Sequence, residues 1–98
     1  MSVLHTLNAA PSSSAYADCV RLLAAGDALL LLGDAVYAAM DSTAACLQLS
    51  DTGADLYVLE ADARSAGIQG QVNKRVATVD FNAFAALTEK FAKQQAWY

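Results

Sequence analysis

Two thiols and one imidazole are the side chains of this 98-residue sequence whose ordinary ionisation lies closest to neutrality: Cys19, Cys46 and His5. Cys19 sits one turn into a predicted helix. The positive end of the helix dipole there would lower its pKa and let it act as a nucleophile or carry a persulfide. It also falls on an apolar stripe with Tyr16 and Val20, and a thiol buried on such a stripe is inert. One observable, its exposure, separates the two readings. Cys46 stands in a weakly patterned segment and reads as a packing or surface residue. His5 could serve as a general base or as a structural hydrogen-bonding group. Trp97 and Tyr98 read either as a tail or as interface anchors.

Other chemistries find no support. Neither a GxGxxG fingerprint nor a P-loop signature occurs, which argues against a nucleotide site. The cysteines form no CxxC pair and a lone histidine makes no cluster, so neither metal nor cofactor is expected. If the chain builds a parallel sheet, ligands would collect at the carboxyl ends of its strands. The residues expected there are His5 with the loop Asn8–Ser14, then Gly33-Asp34, Glu60 with Asp62, and Asp80.

The elements that must position these groups are organised around Gly26–Ala39. The unbroken apolar run Ala28–Leu32 lies between two Gly-Asp pairs. It is too short for a free-standing helix or a membrane span, and it reads as a strand covered on both faces. The turn at Gly33-Asp34 then opens a helix from Asp34 to Met40, with Asp34 as its N-cap. Upstream, Val3–Leu7 is a strand, and a serine at 13 or 14 caps a helix over 15–25 that Gly26 ends, with Tyr16, Cys19, Val20 and Leu23 on one stripe. Downstream, residues 41–53 show only a suggestion of a helical turn at 44–47. Leu56–Leu59 is a strand, 60–66 a helix ended by Gly67, 68–75 a loop and Val76–Val79 a strand. Asp80 caps a helix through about Lys93 with Phe81, Phe84, Leu87 and Phe91 in helical register, and residues 94–98 form a tail or a last short strand. Alternating strands and helices imply an α/β fold: one three-layer domain over residues 1–98, its mostly parallel sheet flanked by helices on both faces.

The chain is 56% apolar and 16% charged, against about 25% charged in an average protein. So few charges on so small a domain imply that another subunit covers part of its apolar surface. A net charge of −4 argues against direct nucleic-acid binding. The N-terminus has no basic segment followed by a long apolar stretch, so no signal peptide is expected, and a cytoplasmic protein with free thiols is.

Several ordered blocks also resemble the TusB/DsrH family. They are Leu4–Leu7, the stretch Leu22–Ala39, Leu56–Leu59 with Ala66-Gly67, Val79–Phe81 with Phe84 and Leu87-Thr88, and the closing Gln95-Ala96-Trp97. The resemblance spans nearly the whole chain. It implies a DsrE-like α/β fold and the role of small subunit in a cytoplasmic heterohexamer with TusC- and TusD-like chains. In that relay, sulfur passes from a TusA-like carrier to a cysteine of the TusD-like chain. It then goes through a TusE-like carrier toward 2-thiolation of the tRNA wobble uridine, or serves sulfur oxidation in the Dsr-type complexes. The chain itself would be a non-catalytic partner that touches neither nucleic acid nor membrane. Cys19 falls where some DsrH-like members carry a cysteine, which implies an alternative role as a persulfide carrier. Trp97, Tyr98 and His5 would lie at the interface, and an isolated subunit could pair with itself through the same apolar patch.

Overall fold

The computed structural model describes residues 2–97. Its strands are β1 (Val3–Leu7), β2 (Ala28–Leu31), β3 (Asp55–Leu59), β4 (Val76–Val79) and β5 (Lys93–Trp97), and its helices are α1 (Ser14–Leu22), α2 (Ala44–Ser50), α3 (Glu60–Ser65) and α4 (Phe81–Lys90). The sheet order is β4-β3-β2-β1-β5, and every pairing between these strands is parallel. The apolar run does form the central strand: Ala28, Leu29, Leu30 and Leu31 have no exposed surface. Each buried leucine contributes about 1.5–3 kcal/mol.

The connections from β1 through β4 step across the sheet in one direction. Because parallel crossovers are right-handed, their helices share one face. There Tyr16 and Cys19 of α1, Leu49 of α2 and Ala63 of α3 pack on Leu7, Leu29, Leu31, Leu56, Val58 and Val76. The connection from β4 to β5 returns to the far edge, which places α4 on the opposite face. Leu87 and Phe91 meet Leu4, Ala28 and Tyr57 there. The sheet thus carries helices on both faces, three against one.

Several boundaries differ from the sequence expectation. Helix α1 stops at Leu22, and Gly26 is no C′ residue of a longer helix; it supplies φ +92° to the turn before β2. Residues Gly33–Ala39 form a 3-10 helix rather than an α-helix. Its cap position is Leu32, with no side-chain cap bond, so Asp34 is not the N-cap. The weakly patterned segment holds a full helix, α2, started by Thr43, whose Oγ1 accepts the Cys46 N–H at 3.2 Å. Helix α4 ends at Lys90, because residues 93–97 are drawn into β5 by pairing with β1, Val3 opposite Lys93 through Leu7 opposite Trp97. Phe81, placed on the apolar stripe of α4 by its spacing, is 64% exposed.

Gly33 is fixed on two counts. Its φ is +55°, and a Cβ there would overlap the Asn8 side chain. Gly33→Ala should cost the about 1–2 kcal/mol of a left-handed L-residue plus the steric clash. Adding Asn8→Ala should recover the clash and not the backbone term, as read from urea unfolding of the two variants.

Candidate functional site

Three residues distant in sequence meet on β1 and its two flanking strands, near the β5 edge of the sheet. The connection from α1 to β2 leaves the helix at Leu23, which is extended, and closes a turn in which the Asp27 N–H donates to the Ala24 carbonyl at 3.0 Å. That turn carries the Asp27 side chain inward. Its Oδ1 accepts the Val3 N–H at 3.0 Å, and its Oδ2 accepts the Ala24 N–H at 3.1 Å. Oδ2 also lies 3.1 Å from His5 Nε2, and both side chains are buried. On the other side of the ring, Trp97 Nε1–H donates to His5 Nδ1 at 3.1 Å, and the two rings stack with centroids 6.3 Å apart.

The hydrogen-bonding inventory fixes the protonation of this triad. An indole N–H can only donate, so Nδ1 must be the unprotonated nitrogen, and Nε2 must carry the hydrogen it gives to the carboxylate. The ring is the Nε2–H tautomer, with both nitrogens committed inside the chain. Burial alone would raise the Asp27 pKa, but the bonds from Val3 N–H, His5 and Ala24 N–H outweigh it and hold the carboxyl below its ordinary value.

The structure therefore moves His5 from its expected place. It is not at the carboxyl end of β1 with the Asn8–Ser14 loop, because Asp27, just ahead of β2, holds its ring within the body of the fold. It is too buried to touch a partner directly, so any contribution it makes to a surface passes through half-buried Trp97. Tyr98 lies outside the described residues. By sequence Asp27 is no more than a breaker flanking an apolar run. The signal was its position: a carboxylate one residue before a wholly buried strand must find donors.

The thiols sit elsewhere, under the α1–α2 layer. Cys19 has no exposed surface and Cys46 almost none. Burial pushes the Cys19 thiol up to about 12 rather than down, so the expected dipole-activated thiolate is not present in this fold. Burial also raises Cys46, with Asp41 adding to it. Tyr16 covers this layer, its hydroxyl donating to the Ala45 carbonyl and lying 3.4 Å from Gln48 Oε1. Its own pKa is pushed up to about 12 by burial and by the two neighbouring thiols. At the carboxyl ends of β2 and β3 two of the expected acids, Asp34 and Asp62, do converge, while Glu60 pairs instead with Arg64 at 2.9 Å. Asp62 Oδ2 accepts the Gly33 N–H at 2.8 Å beside a shallow cleft of about 230 Å³ lined by Gly33, Asp34, Tyr37, Asp62, Ser65 and Ala66. Asp80 is absent from it, being spent on capping α4 through the Ala83 N–H. No helix among the described residues is long and apolar enough to cross a membrane.

The family described as DsrH like protein matches residues 9–94. The chain belongs to the TusB/DsrH family. It is 40% identical over 95 residues to Protein TusB of Salmonella arizonae, covering 97% of this chain and the whole of that relative. The same identity and coverage hold for Protein TusB of Salmonella newport and of Salmonella typhimurium. The observed all-parallel sheet between helices is the α/β architecture that the TusB/DsrH resemblance implied. The DsrH match stops short of both ends of the Asp27–His5–Trp97 triad in sequence, so His5 and Trp97 lie just outside it.

Two measurements check this geometry. Neither thiol should react with an aromatic disulfide reagent at mild alkaline pH while the chain is folded, and both should react once urea unfolds it; fast labelling of folded Cys19 would contradict its burial. Asp27→Asn should destabilise the fold by about 2–3 kcal/mol at neutral pH, the worth of charged hydrogen bonds lost at a buried site. Because the folded carboxyl titrates below its unfolded value of about 3.9, its contribution is complete above that pH and fades as pH falls through the folded pKa. Denaturation curves of wild type and variant should therefore converge in acid.

Proposed function

We propose that this chain is the small, non-catalytic subunit of a cytoplasmic sulfur-relay complex serving 2-thiolation of the tRNA wobble uridine. The observation that carries the reading is the end-to-end likeness to TusB, 40% identical over 97% of the chain. The geometry supports a partner's role over a carrier's. A sulfur carrier needs an accessible thiolate, and Cys19 is sealed on the inner face of α1 with its pKa raised. Its sulfur chemistry would then belong to the cysteine of a TusD-like chain, with a TusC-like chain completing the heterohexamer and TusA- and TusE-like carriers meeting the assembly from outside.

The surface agrees with a chain made to be covered. Leu22, Leu47 and Phe81 are each more than 60% exposed, and the low charge leaves them little competition for water-facing area. Edge strand β5 offers an unpaired backbone rim with Trp97 at its end. A net charge of −4 supports action upstream of the tRNA rather than contact with it.

Deleting the gene should abolish 2-thiouridine in bulk tRNA, and co-expression should recover the chain bound to TusC- and TusD-like subunits. Wild type and Cys19→Ser should restore the modification equally. Restoration by wild type alone, together with a one-sulfur adduct on Cys19 in mass spectra after exposure to a persulfide donor, would instead make this chain a sulfur carrier. Intact 2-thiouridine in the deletion strain would reject the tRNA pathway altogether.

A further inference from the structure

We propose that Asp27 and His5 form a tautomer lock: it holds Trp97 and strand β5 against β1 while His5 is neutral, and it releases them when the ring takes up a second proton. The lock starts from a carboxylate whose place does not depend on the ring. Two main-chain donors, Val3 N–H and Ala24 N–H, hold Asp27 at 3.0 and 3.1 Å. A carboxylate fixed in this way only accepts, which forces the proton of a neutral ring onto Nε2 and leaves a lone pair on Nδ1. Trp97 Nε1–H is seated on that lone pair at 3.1 Å. A second proton on the imidazole can go only to Nδ1. It would strengthen the bond to Asp27 by charge and set two N–H groups against each other on the Trp97 side.

Strand β5 depends on this contact. It is an edge strand with β1 as its only neighbour among the described residues, and its residues Lys93–Ala96 are all exposed. Trp97 is its one residue packed against the core, beside Leu7 in the pairing register. The charged groups on the surrounding elements do not compete for the ring. Lys93 of β5 is exposed, and Gln95, opposite His5, is uncharged. Asp18 and Arg21 of α1 pair with each other at 2.6 Å on the surface. The side chain of Asp55, beside Asp27 through its backbone, is exposed, and Glu89 and Lys90 belong to α4 on the opposite face of the sheet. Asp27 is the charge that touches His5.

The sequence supplies its own probes, since it holds one tryptophan and one histidine. Trp97 fluorescence of the full chain is followed as pH falls from about 8 to about 5, the range in which histidine is the side chain that ordinarily changes charge, with far-UV circular dichroism recorded alongside. Emission should move in one step toward that of water-exposed indole, with helical content retained. In His5→Gln, which keeps an N–H for Asp27 and takes up no proton, the step should vanish. Flat wild-type emission, or the same step in His5→Gln, overturns the lock. If His5→Gln does not fold, nitrogen-15 spectra of the wild-type imidazole decide. They should show the Nε2–H tautomer near neutrality, and its conversion to the doubly protonated ring should track the emission step. An Nδ1–H ring, or an emission step uncoupled from ring protonation, overturns the proposal.

Discussion

The buried carboxylate of Asp27 is the constraint on which the β1 side of the molecule depends. It gathers an N–H from the start of β1, an N–H from the turn after α1 and the imidazole of His5. Each bond answers a separate demand. The first starts the sheet, the second pulls the chain out of its helix early enough to enter β2, and the third aims a ring at Trp97. A charge taken out of water costs several kcal/mol unless such partners are complete. Here they are complete, and among the described residues no buried side-chain polar atom lacks a partner. One residue thereby ties together β1, the turn before β2 and, through His5, Trp97 at the end of β5.

The second organising fact is the imbalance of the two sheet faces. Three successive crossovers in one direction cover one face with α1, α2 and α3, and the single return crossover leaves the other to α4. Among the described residues no further α-helix covers that face. Apolar side chains left outside, Leu22, Leu47 and Phe81 among them, follow from that shortage together with the low charge count. Such a surface suits a subunit more than a free-standing monomer. The thiols tell the same story from inside. They fill space between α1 and α2 under Tyr16, where a small apolar group packs well and a thiolate would be penalised.

Much of the architecture was legible in the sequence for local reasons. Ala28–Leu32 is apolar without alternation, and that pattern belongs to strands covered on both faces. Ser13 and Asp80 cap α1 and α4 as their positions suggested, since an N-cap is a contact over three residues. Where the sequence misled, a longer-range contact had overridden a local one. Gly26 looked like a helix terminator until Asp27 claimed the Ala24 N–H. Helix α4, expected to run to about Lys93, stops at Lys90 because β1 had an open edge that residues 93–97 fill, which decides for the strand between the two readings of the last residues.

The sequence by itself determined the alternation of elements, the buried central strand, the shortage of charge and the family, because these reside in spacing and composition. Only the tertiary structure decided the fate of the chemical groups. Cys19 lay on a stripe that could have faced water or core, and the packing of α1 on the sheet chose core. His5, Asp27 and Trp97 are separated by up to 92 residues, and no periodicity relates them. Hydrogen bonds between side chains depend on which strands become neighbours, and strand order is a property of the whole sheet.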